Sequence, residues 1–179
     1  LACAEMVLDG VKEHGLTGEE ELLERLRSSV TMIDSLVTNY LELSRIEAGS
    51  LALIRMPLDI DRILQRVRQQ YEMEARRRRI HLEIESTPGA VEVEADLLAL
   101  ERVFANLVHN ALKFTPAEGF VRVAATIQGE HAVITVKDTG AGIPSEERPF
   151  LFEKYRRFAT QRQREGTGLG LAIVKAMIE

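Results

Sequence analysis

The sequence predicts an α+β protein: a two-layer α/β sandwich preceded by an α-helical hairpin that forms a dimeric four-helix bundle. Two observations carry this expectation. From Leu22 to Ile46 apolar residues recur every three or four positions (Leu22, Leu23, Leu26, Val30, Ile33, Leu36, Val37, Tyr40, Leu43, Ile46) with no internal Gly or Pro. Such a stripe belongs to a long helix in a bundle or coiled coil. Beyond about residue 56 the pattern changes to short alternating segments interleaved with amphipathic ones, which reads as helices layered on a mixed sheet.

Taken in order, residues 1–13 form a shorter apolar segment joined to the long helix through HGLTG, whose glycines suit the turn of a hairpin. Two such hairpins make a four-helix bundle, so a homodimer is expected. Gly49 ends the long helix and opens a linker, and Pro57 starts a second domain, giving a division into 1–56 and 57–179. Residues 59–77 predict an amphipathic helix capped by Asp59. Its end carries Arg76, Arg77, Arg78 and Arg79, cations that the helix dipole favours there, so they read as a solvated face. Strands are predicted at 80–85, 91–94, 120–127 and 131–137, with a helix over 96–113 between the second and third.

The composition excludes some classes of function. The 179 residues, 45% hydrophobic, suffice for one globular domain plus an appendage. Cys3 is the single cysteine, which rules out an intramolecular disulfide and fits a reducing, cytoplasmic compartment. A net charge of −5 argues against nucleic acid as a partner. There is no apolar run of about 18 residues and no signal-peptide pattern, so no membrane contact is expected of this segment, although a longer parent could be membrane-anchored.

The chemistry concentrates in NLVHNALKFT, residues 106–115. At about 100° per residue, with Asn106 at zero, Asn110 falls near ~40° and Lys113 near ~−20°, while Phe104, Leu107, Val108 and Ala111 occupy the opposite half. A polar stripe therefore looks into a pocket while the apolar half holds the helix to a core. DTGAGIP at 138–144, LFEKYRRF at 151–158 and GTGLGL at 166–171 follow within about 65 residues. A glycine-rich turn alone is common punctuation, but this series points to one nucleotide site. Gly140 and Gly142 allow the backbone a sharp turn and a close approach to a base, and Ile143 supplies an apolar wall. The segment Gly166, Thr167, Gly168, Leu169, Gly170 leads straight into the apolar helix LAIVKAMIE, so free backbone amides and a positive helix end would face a triphosphate.

The four segments, in this order, resemble the N, G1, F and G2 boxes of sensor histidine kinases, members of the gyrase, heat-shock chaperone, histidine kinase and mismatch-repair ATPase superfamily. LSRIEAGSLAL at 43–53 resembles the end of their dimerisation helix. The resemblance covers nearly all of residues 18–179 and implies a Bergerat-type ATP-binding fold, ATP and Mg²⁺ as cofactors, and a response regulator receiver domain as partner. It implies that Asn110 offers an oxygen to Mg²⁺ with help from Asn106, that Lys113 neutralises phosphate, and that Phe114 borders the adenine. Asp138 would accept from the exocyclic amine of adenine, which selects ATP over GTP. In the F box, Phe152 matches the anchoring aromatic and Arg157 the arginine that reaches the γ-phosphate, with Arg156 the alternative, because Tyr155 and Arg156 stand where the family has an aromatic pair.

The resemblance also separates reaction types. Where relatives that hydrolyse ATP or phosphorylate serine carry a glutamate, this chain has Asn106, which takes no proton near neutral pH. A neutral imidazole is already nucleophilic, so transfer to histidine is the expected reaction. A nucleotide-binding scaffold without transfer activity and an ATPase of the same superfamily are the alternatives. None of His14, His81, His109 and His131 lies in the family's acceptor motif. The acceptor is expected before Leu1, and further strands after Glu179.

Overall fold

The computed structural model describes residues 17–85, 92–129, 131–156 and 167–178. The first hairpin segment with His14 and Cys3, the F-box tail with Arg157, and Gly166 of the G2 segment lie outside them. Helix α1 (Thr17–Glu47) leads, followed by strand β1 (Met56–Asp59) and helix α2 (Ile60–Arg77). Strands β2 (His81–Glu85) and β3 (Glu92–Ala95) precede helix α3 (Leu97–Phe114). Strands β4 (Phe120–Gln128) and β5 (His131–Asp138), a short 3₁₀ turn (Arg148–Phe150) and helix α4 (Gly170–Ile178) complete the order.

Helix α1 ends as its sequence predicts. Gly49 adopts φ +63, a left-handed conformation cheap only for glycine, and the Ser50 amide closes back onto the Arg45 carbonyl at 3.0 Å. Helix α2 is capped by Asp59, whose Oδ1 accepts from the amides of Asp61 at 2.9 Å and Arg62 at 3.4 Å. It buries Ile60, Ile63, Leu64, Val67, Tyr71 and Ala75, one face at helical spacing. Three of the arginines at its end are tied to carboxylates: Arg76 to Glu72, Arg78 to Glu74 and Arg79 to Glu118.

Strand β4 forms the middle of a three-stranded sheet, parallel to β2 and antiparallel to β5. Val121, Val123 and Ala125 alternate inward and are buried. On the outer face Arg122 bonds Glu83 at 3.0 Å and lies 3.3 Å from Glu85, and Phe120 stacks on His81 with ring centroids 5.9 Å apart. Helices α2 and α3 cover the inner face, with Phe104, Leu64, Leu112 and Val108 at the centre. Each such side chain contributes about 1.5–3 kcal/mol on burial. The result is a two-layer α/β sandwich.

Strand β1 was not predicted. Its four residues pair antiparallel with β3, Met56 against Ala95 and Asp59 against Glu92, as a separate two-stranded ribbon, the kind of edge position where proline is found. Asp96 follows β3 and caps α3, Oδ1 accepting from the Ala99 amide at 2.9 Å while Oδ2 accepts from the linker amide of Ile54 at 2.8 Å. The residue is partly covered, yet its carboxylate sits at the water boundary. The Ala99 amide first, then the Ile54 amide, hold its carboxyl below the usual carboxylate range. Its stabilisation is therefore present above the unfolded value of about 3.9 and lost as pH falls through the lower folded value. Asp96→Ala is expected to lower the melting temperature at pH 7, and the gap to the unchanged protein should shrink in acid melting curves.

A second, smaller core joins α1 to the sandwich. Leu43 is buried against Leu169 and Ile173, with Leu36, Ala176 and Met177 beside them. Helix α1 thus docks one face on α4.

Candidate functional site

Helix α3 presents the polar stripe expected of it. Asn106, Asn110 and Lys113 are half-buried, whereas Phe104, Val108 and Ala111 are buried on the opposite side. The Asn106 amide donates to the Arg102 carbonyl one turn earlier at 3.0 Å, which fixes the side chain and leaves its Oδ1 facing α4. Close packing follows: a Cβ added at Gly170 would stand 2.6 Å from Asn106 Oδ1, so only glycine lets the start of α4 approach this helix. Lys113 Nζ lies 4.8 Å from the centroid of the Phe114 ring, a cation–π contact at the helix end.

Strand β5 delivers Asp138 to the same end of the sheet. Asp138 is exposed, and its Oδ1 accepts from the Gly140 amide at 2.8 Å, which fixes the carboxylate while Oδ2 accepts no hydrogen bond among the described residues. Gly140 sits against the Phe114 carbonyl, where an added Cβ would be 2.8 Å from that oxygen. The G1 turn is therefore seated directly on the C-terminal end of α3. Gly142 adopts φ +70, and Ile143, half-buried, gives its carbonyl to Arg148 Nε at 3.1 Å.

The F-box segment is pinned to the G2 loop through backbone. The Tyr155 amide donates to the Gly168 carbonyl at 3.0 Å, and Gly168, at φ +71, has Tyr155 within 2.8 Å of where a Cβ would stand. Arg156 lies over the Phe150 ring at 4.8 Å, while Phe152, expected as an anchor, is exposed. Thr167 accepts the Leu169 amide on its Oγ1 at 3.3 Å, and Leu169 is fully buried.

His109, next to Asn110, keeps much of its surface open. Desolvation on its packed side pushes its pKa down, Glu74 opposes this, and Lys113 and Arg78 add to it. Among the described residues no group of three His, Cys, Asp or Glu could hold a metal alone. Asn110, half-buried on the polar face of α3, has a carboxamide oxygen of the kind a hard cation accepts. No described helix is long and apolar enough to cross a membrane.

Three residues of the arrangement were missed in sequence. Arg102 donates to Glu42 of α1 at 2.8 Å and to Asn39 of α1 at 2.7 Å, and Asn39 also reaches Thr167 at 3.5 Å. The available signal was a polar residue on the flank of an apolar heptad stripe, one turn before Leu43.

Comparison with known proteins agrees with this geometry. The family of histidine kinase-, DNA gyrase B- and HSP90-like ATPases matches residues 95–179. The circadian input-output histidine kinase CikA of Synechococcus elongatus is 34% identical over 165 residues, 90% of this chain and 22% of that protein. A solved structure of the mycobacterial sensor histidine kinase MprB is 35% identical, with a TM-score of 0.59, covering 70% of this chain and 78% of that one. Full-length ShkA, solved in complex with AMPPNP, is 31% identical with a TM-score of 0.76, covering 88% of this chain and 33% of that one. The chain spans about a fifth to a third of the length of the curated relatives it matches. With these likenesses in sequence and fold, the chain belongs to the sensor histidine kinases and carries their ATP-binding catalytic domain.

Proposed function

We propose that this chain is the core of a histidine kinase that binds Mg²⁺ and ATP and delivers the γ-phosphate to a histidine on a dimerisation helix, for relay to a response regulator. One observation carries the reading: the start of α4 meets Asn106 and the G1 turn meets Phe114, so the segments assigned to phosphate and base are both seated on the same helix, α3. In this reading Asp138 Oδ2 accepts from the adenine amine, with Phe114 and Ile143 along the base. The amides of Thr167, Gly168, Leu169 and Gly170, with Gly166, face the phosphates. Lys113 and Arg157, or Arg156, carry positive charge to the transferring group, where positioning and electrostatics supply most of the rate. Mg²⁺, when bound, neutralises phosphate charge. Asn110 would hold it by a carboxamide oxygen, with Asn106 beside it.

The transfer itself needs no base from this chain. The lone pair of a neutral imidazole nitrogen attacks the γ-phosphorus, the bond to the ADP oxygen breaks, and ADP leaves. The domain division at 56 and a homodimer belong to the same proposal. Leu22, Leu26, Ile33, Val37 and Tyr40 form an exposed apolar stripe on α1, with Leu22 60% and Ile33 61% exposed. That stripe lies beside, not on, the face that docks to α4, and it suits packing in a four-helix bundle.

The test is transfer of label from γ-labelled ATP with Mg²⁺ to an added dimerisation hairpin carrying an acceptor histidine. Acid-labile, base-stable label on the hairpin is expected, with little steady-state phosphate release. Rapid release into solution with no labelled hairpin would favour the ATPase, and binding with neither outcome would favour the scaffold.

A further inference from the structure

Asn39 lies on α1 with 7% of its surface exposed, and together with Thr115 it makes up the buried polar side chains among the described residues. Thr115 bonds within its own helix. Asn39 instead spends its carboxamide across the contact between α1 and the sandwich. Its Oδ1 accepts from Arg102 at 2.7 Å, and its Nδ2 donates to Ser35 at 3.2 Å and, at the long limit of 3.5 Å, to Thr167. Glu42, three residues on, accepts from Arg102 Nε at 2.8 Å.

Both contacts continue into the site. The Arg102 carbonyl is the acceptor for the Asn106 amide, and Thr167 Oγ1 is the acceptor for the Leu169 backbone amide. Helix α1 thus touches the N-box helix and the phosphate loop at once through two polar side chains. In this arrangement the Leu169 amide is occupied by Thr167, and Lys154 of the F-box segment is paired with Glu47 of α1. An incoming polyphosphate would call on the same class of donors, loop amides and basic side chains. Buried polar groups are costly unless paired, so the docked set resists giving them up singly.

We propose that Asn39 and Glu42 are positioning residues that hold the phosphate loop in a nucleotide-releasing arrangement, so that docking of α1 and binding of triphosphate oppose each other. This rests on the nucleotide reading given above. The coupling is reciprocal: nucleotide loosens α1 by the factor by which α1 weakens nucleotide.

Titration calorimetry with Mg²⁺ and AMPPNP on the unchanged chain, Asn39→Ala and Asn39→Asp tests it. Aspartate keeps an acceptor for Arg102 and removes the donor to Ser35 and Thr167. Both variants are expected to bind about threefold to tenfold more tightly, the range set by one hydrogen bond, while Asn39→Ala is expected to melt at a lower temperature without nucleotide. Unchanged or weaker affinity in both variants, with stability alone reduced, would make Asn39 a structural residue and overturn the proposal. Failure of the nucleotide reading looks different: the unchanged chain would not bind at all, or Asp138→Asn would leave binding intact in every background, and either result removes this proposal with it.

Discussion

Asp138→Asn is expected to lower ATP affinity about a hundredfold, close to 2.7 kcal/mol. The reason lies in the turn that follows the residue. Asp138 Oδ1 is committed to the Gly140 amide at 2.8 Å, so an asparagine in its place must point its oxygen at that amide to keep the G1 turn. Its NH₂ then occupies the position of Oδ2 and meets the adenine amine donor to donor. Flipping the amide rescues the base contact only by opposing the Gly140 amide with another donor. Either way one of the two pairs is replaced by a donor facing a donor. Calorimetric titration with ATP measures this, and unchanged affinity would sink the assignment of Asp138. Thermal stability should barely move, since Asp138 is exposed.

Phe104→Ala carries the largest expected loss of stability, about 3–5 kcal/mol. Phe104 is 1% exposed and is among the largest fully buried side chains of the described residues, in the core shared by α2, α3 and β4. Against a total of about 5–15 kcal/mol for a typical domain, its removal leaves little margin. Urea unfolding should show the midpoint falling with the slope unchanged. A change under 1 kcal/mol would mean that α3 is not seated as described, since a cavity of that size cannot close without cost. Nucleotide affinity should fall as well, because the same helix carries Asn106, Asn110 and Lys113.

These elements were not equally legible in the sequence. Helices α2 and α3 could be read because their apolar residues repeat at 3.6 and their caps, Asp59 and Asp96, are strong local signals. The alternation of Val121, Val123 and Ala125 marked β4 in the same way. Strand β1 could not be read: four residues containing a proline have no period to detect, and what makes them a strand is β3, some 35 residues later. The parallel pairing of β2 with β4 was equally silent, whereas the short link between β4 and β5 announces a hairpin. Within the site, the motif residues are local in sequence and were named from it. Asn39, Glu42 and Arg102 were missed because their partners lie 60 to 128 positions away, and a polar residue on a bundle helix is more often solvated than shared.

The carboxylate of Asp96 has a mechanical consequence. One oxygen holds the first turn of α3 and the other holds the linker that leaves α1, so the helix is anchored at its root to the chain that follows α1. A helix rises about 1.5 Å per residue, which puts Asn106 about 15 Å, and Lys113 about 25 Å, from that anchor. A tilt of about 5° pivoting at Asp96 displaces Asn106 by little more than 1 Å but Lys113 by about 2 Å. Misplacement of about 1 Å can cost a hundredfold in rate. Of the site residues on α3, those at its far tip are therefore the ones such a tilt would displace most.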